Sequence, residues 1–150
     1  MINTKQVGNI TEVQCMLKFM ELGFNVLTPF GDCERYDFVV DIYGNFIRVQ
    51  VKTSQSVDES GDAFMFNARS CNRKDGHIVH HKYDKSEIDY FATMFNNICY
   101  LIPVEDCGSA KRLRIRPAKN EQVRGVCFAE NYELERMLLK IADVKTTSLS

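Results

Sequence analysis

Two carboxylates, an amide and a lysine have the functional groups for chemistry on an anionic substrate: Glu12, Asp37, Gln50 and Lys52. Carboxylate and amide oxygens can hold a cation, and an ammonium group can stabilise a developing negative charge. The alternative for Asp37, Gln50 and Lys52 is a solvated sheet face with ordinary ion pairs, which is the commonest antiparallel pattern. For Glu12 the alternatives are a side chain that reaches into solvent and one that enters a shared polar pocket.

A predicted β-hairpin holds three of these four residues and is the clearest local signal in the sequence. Two strand-like runs, 36–43 and 46–53, flank Gly44-Asn45, a dipeptide suited to a two-residue turn. The register that follows from this turn gives two cross-strand ion pairs, Asp37–Lys52 and Asp41–Arg48. Because side chains alternate between the faces of a strand, one face is entirely apolar, with Phe38, Val40, Ile42, Ile47, Val49 and Val51.

A helix is predicted over residues 4–22 and carries the fourth polar residue, Glu12. Apolar side chains recur at helical spacing, and Gly23 is placed to end the helix; the predicted apolar stripe is Val13, Met16, Leu17 and Met20. Glu12 shares a line with Met16 and Phe19 at the edge of this stripe. The carboxylate is therefore expected near the boundary between the protein core and solvent.

The remaining segments predict a mixed sheet. A short strand is expected at 24–28, and a second hairpin at 89–95 and 98–104, where Asn96-Asn97 tolerates positive φ. Shorter strands are expected at 64–66 and 113–115, and a closing helix at 131–143. Helix first, strands in the middle and helix last indicate an α/β (α+β) fold with a central mixed sheet flanked by helices.

The composition is that of an ordinary globular protein. The chain has 150 residues, with 19 Lys and Arg against 20 Asp and Glu and a net charge of −1. This balance argues against a protein that coats nucleic acid by bulk electrostatics, but it leaves site-specific binding open. The length predicts one domain over residues 1–144, with a flexible tail at 145–150. The sequence has no long apolar run, no recognisable signal peptide and six scattered cysteines, so we expect a cytoplasmic protein without a membrane partner.

Several ordered motifs resemble the PD-(D/E)XK nuclease superfamily, and in particular its small group I intron homing endonucleases. They are the segment from Lys5 to Glu12, the Arg35-Tyr36-Asp37 turn, Gln50-Val51-Lys52-Thr53, and the later Asp89-Tyr90-Phe91 and Tyr100-Leu101-Ile102-Pro103. The resemblance covers nearly the whole chain. It implies a restriction-endonuclease-like fold and a site-specific, double-strand DNA endonuclease that depends on Mg²⁺ or Mn²⁺.

The resemblance also assigns roles to the four polar residues. It implies that Asp37 is the metal-binding aspartate, that Lys52 is the lysine of the E-x-K element, and that Glu12 is the additional helix carboxylate. Gln50 stands where the general pattern has Asp or Glu, so it supplies an oxygen without a charge, and the number of metal ions stays open. The implied metal ligands are Glu12, Asp37, Gln50 and the backbone oxygen of Val51.

Basic residues are concentrated in two segments, 69–85 and 111–124. The ordinary interpretation of each is a solvated surface. With the resemblance, we expect residues 69–74 to read bases and residues 111–116 to contact phosphates of double-stranded DNA. The predicted DNA-binding residues are Asn67, Arg69, Asn72, Arg73, Lys74, Lys111, Arg112, Arg114 and Arg116. A zinc site from Cys71, His77, His80 and His81 is a weaker alternative, because the spacing matches no zinc-finger pattern.

Two other functions remain open at this point. One is a nuclease of the same superfamily that resolves four-way junctions, and the other is a non-cleaving DNA-binding or assembly module whose site has decayed at Gln50. A domain of this size cannot easily span a long target alone, since specific interfaces bury roughly 1,000–2,500 Å² of protein. The homing relatives assemble as homotetramers, so the resemblance implies a homo-oligomer of that kind.

Overall fold

A computed structural model of the protein describes the backbone of residues 1–149 and the side chains of residues 1–144. Helix α1 spans Thr4–Glu21 and begins with a capping box, in which Asn3 and Gln6 exchange side-chain and backbone hydrogen bonds. Gly23 stops the helix two residues after Glu21, with a φ of 85° that is unstrained for glycine, and the amides of Gly23 and Phe24 donate to the carbonyls of Met20 and Phe19. The predicted helix and its glycine stop are confirmed.

The described residues form ten strands, joined into three sheets. In chain order they are β1 (Asn25–Leu27), β2 (Phe38–Ile42), β3 (Asn45–Val51), β4 (Gln55–Ser56), β5 (Ala63–Asn67), β6 (Arg69–Lys74), β7 (His77–Lys82), β8 (Tyr90–Phe95), β9 (Ile98–Pro103) and β10 (Ala110–Arg114). The central sheet has the order β1-β2-β3-β8-β9, and a smaller one has the order β10-β5-β4. Strands β6 and β7 pair only with each other.

The central sheet is mixed, because β3 and β8 are parallel while its other pairs are antiparallel. A parallel pair needs a crossover, and strands β4 to β7 lie in the connection from β3 to β8. Helix α1 contacts β1, β3 and β8, and the closing helix α2 (Leu134–Leu149) contacts β2 and β9. The expected central mixed sheet flanked by helices is confirmed.

The first hairpin forms, but its register differs from the prediction by two residues. Phe38 lies opposite Val49 and Ile42 opposite Asn45, so the turn is Tyr43-Gly44. Both turn residues have positive φ, 52° and 85°, and the Gly44 amide donates to Asp41 Oδ1 at 2.7 Å. A shift of two residues preserves the side-chain faces, so the predicted apolar face is confirmed as buried.

The two predicted ion pairs of that hairpin are wrong, because each depended on the original register. Asp41 faces Phe46, and Arg48 faces Val39. Arg48 instead forms a salt bridge with Asp89, with Nε 3.1 Å from Oδ2. The Arg48 guanidinium also donates to the carbonyls of Ser86 and Lys85, which fastens the segment before β8 to β3.

The buried face of α1 also differs from the prediction. Thr11, Cys15 and Phe19 face the sheet, whereas Val13, Leu17 and Met20 of the predicted stripe are 60%, 49% and 58% exposed. The helix has apolar residues on two sides, and its inner stripe includes a polar threonine and a small cysteine. The prediction from apolar periodicity alone therefore identified the exposed side of α1 as the buried one.

The other predicted elements are present with modest changes of boundary. The second hairpin turns at Asn96-Asn97 with φ of 49° and 62°, and the strands expected at 64–66 and 113–115 become β5 and β10. Helix α2 follows a 3₁₀ turn at Ala129–Tyr132 and buries Leu134, Leu138 and Ile141 as predicted. Its backbone runs through most of the segment predicted as a tail, and Ser150 and the side chains after 144 lie outside the described residues. No helix in the described part of the chain is long and apolar enough to cross a membrane.

Candidate functional site

Asp37 lies directly before β2 and is fixed by β3 on both its backbone and side chain. Its amide donates to the Val49 carbonyl at 2.8 Å, and its Oδ2 accepts from the Val51 amide at 2.7 Å. Burial raises the pKa of this carboxyl above its ordinary value, although the Val51 hydrogen bond and the charge of Lys52 act in the opposite direction. The carboxylate is thus held in a partly desolvated position that favours a compensating positive charge.

Glu12 reaches the same place from α1 and is partly buried. Desolvation raises the pKa of the Glu12 carboxyl, and the negative charge of Asp37 raises it further. Two carboxylates that oppose each other's ionisation are typical of a site that binds a cation. This placement favours the shared polar pocket over the solvent-directed alternative for Glu12.

Lys52 follows β3 and points toward the same pocket. Its amide donates to the Ala92 carbonyl of β8 at 2.9 Å, and its Nζ donates to the Arg69 carbonyl at 3.1 Å. Desolvation lowers the pKa of the Lys52 ammonium, and the charge of Asp37 partly offsets this. Lys52 and Asp37 do not form a direct salt bridge among the described ion pairs. The ammonium can therefore interact with a group other than the Asp37 carboxylate.

Gln50 lies on the polar face of β3, one pleat before Lys52, and its Nε2 donates to the Val51 carbonyl at 3.3 Å. The amide oxygen of Gln50 and the Val51 carbonyl are neutral oxygen donors, and the amide of Val51 is the partner of the Asp37 carboxylate. Among the described residues, no group of three or more His, Cys, Asp or Glu side chains is arranged to hold a metal ion. The donor set of two carboxylates and two neutral oxygens nevertheless fits Mg²⁺, which keeps several waters and takes one or two protein carboxylates.

A second cluster at this site was not predicted from the sequence. Arg35 forms a salt bridge with Glu87 and donates from Nη1 to Ser70 Oγ at 2.8 Å. His81 Nε2 lies 3.2 Å from the other carboxylate oxygen of Glu87, and the ring of Tyr83 lies beneath the Arg35 guanidinium. No short-range pattern marks Tyr83 or Glu87 as parts of this cluster, because Arg35, the partner of both, is distant in the sequence.

Strands β6 and β7 form a two-stranded arm that begins beside Lys52. Residues 71–82 of the arm are exposed throughout, and the turn Asp75-Gly76 has φ of 51° and 80°. The segment expected to read bases therefore lies in a β-ribbon, one of the two elements that fit the major groove of DNA. A cavity of about 390 Å³ lies between Lys52 and the base of the arm, where it is lined by Asn67, Arg69 and Ser70.

The predicted base-reading residues occupy different positions on the arm. Asn72, Arg73 and Lys74 are exposed on β6, and Asn67 is exposed at the end of β5. Arg69 is partly buried, and its Nε has no hydrogen-bond partner. Arg69 therefore belongs to the base of the arm, close to Lys52, whereas the other residues lie on its accessible surface.

The second basic segment is divided by the alternation of β10. Arg112 is exposed and Arg114 partly so, while Lys111 and Leu113 on the other face are buried. Lys111 is only 8% exposed, and its Nζ donates to the Asp106 carbonyl at 2.9 Å and lies near the Tyr132 ring. Arg116 is exposed and pairs with Asp62 at 3.3 Å. The burial of Lys111 removes it from the surface that can contact phosphates.

The weaker zinc alternative receives no support from the arm. Cys71 and His80 are cross-strand neighbours, with Sγ 3.1 Å from Nδ1, but within the described chain no third His, Cys, Asp or Glu joins them as a metal ligand. A structural zinc site needs four such ligands. The pair is an exposed contact on the ribbon.

Comparison with known proteins finds a matching family and a similar solved structure. The sequence profile of the PD-(D/E)XK endonuclease family matches residues 2–135. The fold is similar to that of a bacterial homing endonuclease, I-Ssp6803I, with a TM-score of 0.76 and 25% sequence identity. The alignment covers 95% of this chain and 98% of that protein. No curated protein matches the sequence at a significant level.

Proposed function

Because this chain belongs to the PD-(D/E)XK endonuclease family, we propose that it is a site-specific, metal-dependent endonuclease of the intron homing type. It cleaves both strands of duplex DNA by hydrolysis of phosphodiester bonds. The observation that carries this proposal is the convergence of Glu12 and Asp37, each with its pKa raised, beside Lys52, which directly follows β3. The similarity to a homing endonuclease along nearly all of both chains supports the same type of enzyme.

Each of the four polar residues has a proposed role in this reaction. Glu12, Asp37, the Gln50 amide oxygen and the Val51 carbonyl would hold Mg²⁺ or Mn²⁺, which supplies positive charge that polarises the scissile phosphate. Asp37 is oriented for this by the Val51 amide. Lys52 stabilises the negative charge that develops on the phosphoryl group, because its backbone is fixed to β8 and its ammonium is partly desolvated and donates to the Arg69 carbonyl.

The proposed DNA-binding surface combines the arm with the outer face of β10. The arm residues Asn72, Arg73 and Lys74 enter the major groove, and Asn67 and Arg69 lie at the base of the arm, next to the site. Arg112, Arg114 and Arg116 contact the phosphate backbone. Lys111 is left out of this surface because it is buried.

We also propose that the protein is a homo-oligomer, with the homotetramer as the expected form. The support is the outer face of α1, where Ile10, Val13, Leu17 and Met20 recur at intervals of three and four residues and are 47–60% exposed. Such spacing forms one apolar stripe along α1, which can pack against a helix of a second copy of the protein. Replacement of Leu17 by Glu should convert the oligomer to a smaller species in sedimentation velocity. An unchanged sedimentation coefficient would show that α1 is not the interface.

The central test is cleavage in the presence of Mg²⁺ or Mn²⁺. The substrates are the joined sequences that flank the gene, a duplex library of randomised sequence, and a synthetic four-way junction. A homing endonuclease should cleave a defined linear duplex. A junction resolvase should cleave only the four-way junction. A non-cleaving module with a decayed site should bind DNA without cleaving it.

Lys52→Ala should slow cleavage by roughly 10²–10³-fold with little change in DNA affinity. A variant as fast as the wild type would contradict the proposed role of Lys52.

A further inference from the structure

Tyr83, which directly follows β7, has an aromatic ring that is shared by two cations of the site. The Arg35 guanidinium carbon lies 3.8 Å from the ring centroid, and the Lys52 Nζ lies 4.9 Å from the same centroid. Both distances are within the range of attractive cation–π interactions. The ring therefore links the loop before β2, the end of β3 and the base of the arm.

The position of this ring is itself fixed by the core. Tyr83 meets Phe91 edge to face, with centroids 5.4 Å apart and an interplanar angle of 85°. Phe91 is 1% exposed and lies opposite Gln50 in the parallel pairing of β3 and β8. The rings of Tyr83 and Phe91 thus lie next to β3, the strand that carries Gln50 and leads directly into Lys52.

The two cations differ in how firmly they are held without the ring. Arg35 has further partners in Glu87 and Ser70. Lys52 has a flexible four-carbon side chain, and its described side-chain contacts are the Arg69 carbonyl and the Tyr83 ring. The ring face is therefore more important for the placement of Lys52 than for that of Arg35.

We propose that Tyr83 is a positioning residue for Lys52, which holds the lysine ammonium beside Asp37 through the face of its aromatic ring. This inference rests on the proposed catalytic role of Lys52. Tyr83 does not touch the reacting groups, so its effect passes through the lysine. A displacement of a charged group by about 1 Å can slow a catalysed step by roughly 10²-fold, which sets the scale on which such positioning matters.

The kinetic test compares two substitutions of Tyr83 under single-turnover conditions with saturating duplex. Tyr83→Phe keeps the ring and removes the hydroxyl, so its cleavage rate should stay within about twofold of the wild type. Tyr83→Leu keeps an apolar side chain and removes the ring, so the rate should fall roughly 30-fold, the factor that corresponds to the strength of a desolvated cation–π contact. The DNA dissociation constant should be unchanged in both variants, because neither removes a phosphate contact.

A spectroscopic test on the protein without DNA makes the proposal independent of activity. The ε-methylene protons of Lys52, assigned by their absence in Lys52→Ala, should be shifted upfield by the ring current of Tyr83. The upfield shift should persist in Tyr83→Phe and disappear in Tyr83→Leu. If Tyr83→Leu does not fold, the upfield shift in the wild type and in Tyr83→Phe still decides whether the ring covers the lysine.

The outcomes separate this inference from the proposed function. Wild-type cleavage by Tyr83→Leu, or a Lys52 methylene resonance without an upfield shift, would overturn the positioning role even if Lys52→Ala is inactive. Wild-type cleavage by Lys52→Ala would instead overturn the catalytic role of the lysine. A large loss in Tyr83→Phe would show that the hydroxyl matters and would also contradict positioning by the ring.

Discussion

Replacement of Asp37 by Asn removes one negative charge from the site and preserves the size of the side chain. The new amide oxygen can still accept from the Val51 amide, so the local hydrogen bond is retained. The substitution removes the cost of burying the carboxylate and the repulsion with Glu12, both of which raise carboxyl pKa values here. We expect the variant to be more stable than the wild type when no divalent cation is present and to lose cleavage activity.

The expected change in the free energy of unfolding of Asp37→Asn can be compared with that of typical stabilising substitutions. A single stabilising substitution commonly contributes about 0.5–2 kcal/mol, and we expect Asp37→Asn to lie in this range. For a domain of this length, each 1 kcal/mol shifts Tm by roughly 2–4 °C. The variant should therefore melt a few degrees above the wild type in EDTA. Mg²⁺ at tenfold its dissociation constant should stabilise the wild type by about 1.4 kcal/mol and leave the variant almost unchanged.

The pH dependence of this difference has a definite sign. The pKa of Asp37 in the folded protein is raised above its ordinary value of 3.8. The stability contributed by the protonated carboxyl is fully present below that value and is lost as the pH rises through the raised pKa. The advantage of the variant should therefore be largest near neutral pH and should vanish at acid pH.

The assay is thermal unfolding by circular dichroism, in EDTA and in increasing Mg²⁺, at several pH values. Asp32→Asn is the matched control, because it removes the same charge from an exposed position in the same loop. This control should show neither the gain in EDTA nor the loss of the Mg²⁺ response. A lower Tm for Asp37→Asn in EDTA would refute the argument from burial, and an equal Mg²⁺ response would show that Asp37 is not a ligand.

Two further predictions concern the framework and the arm. Arg48→Ala removes the salt bridge to Asp89 and two carbonyl hydrogen bonds, so it should destabilise the fold by roughly 1–3 kcal/mol in urea unfolding; a midpoint equal to that of the wild type would contradict this. Because Arg48 lowers the pKa of Asp89, the stability from this pair should be lost as the pH falls through the lowered value. Lys74→Ala should reduce the slope of log affinity against log salt by about 1, whereas Lys111→Met should leave the slope unchanged; equal slopes for the two variants would refute the assignment of these lysines.

Several features of the fold could be predicted because their causes are local. The Gly23 helix stop, the Asn96-Asn97 turn and the apolar face of the first hairpin each follow from residue types at short spacing. The hairpin register could not be predicted correctly, because Tyr43-Gly44 and Gly44-Asn45 are both plausible turns. The structure has the first of these, with Tyr43 in the left-handed region and Asp41 bound to the Gly44 amide.

The sequence by itself determined the polar face that contains Asp37, Gln50 and Lys52, because strand alternation survives a register shift of two residues. Only the tertiary structure decided which side of α1 is buried, and this packing is what directs Glu12 toward Asp37. It likewise decided that Lys111 is buried and that the Tyr83 ring lies beside Lys52. The physical reason is the same in each case: periodicity fixes the face of an element, whereas the contact between distant elements depends on how their surfaces pack.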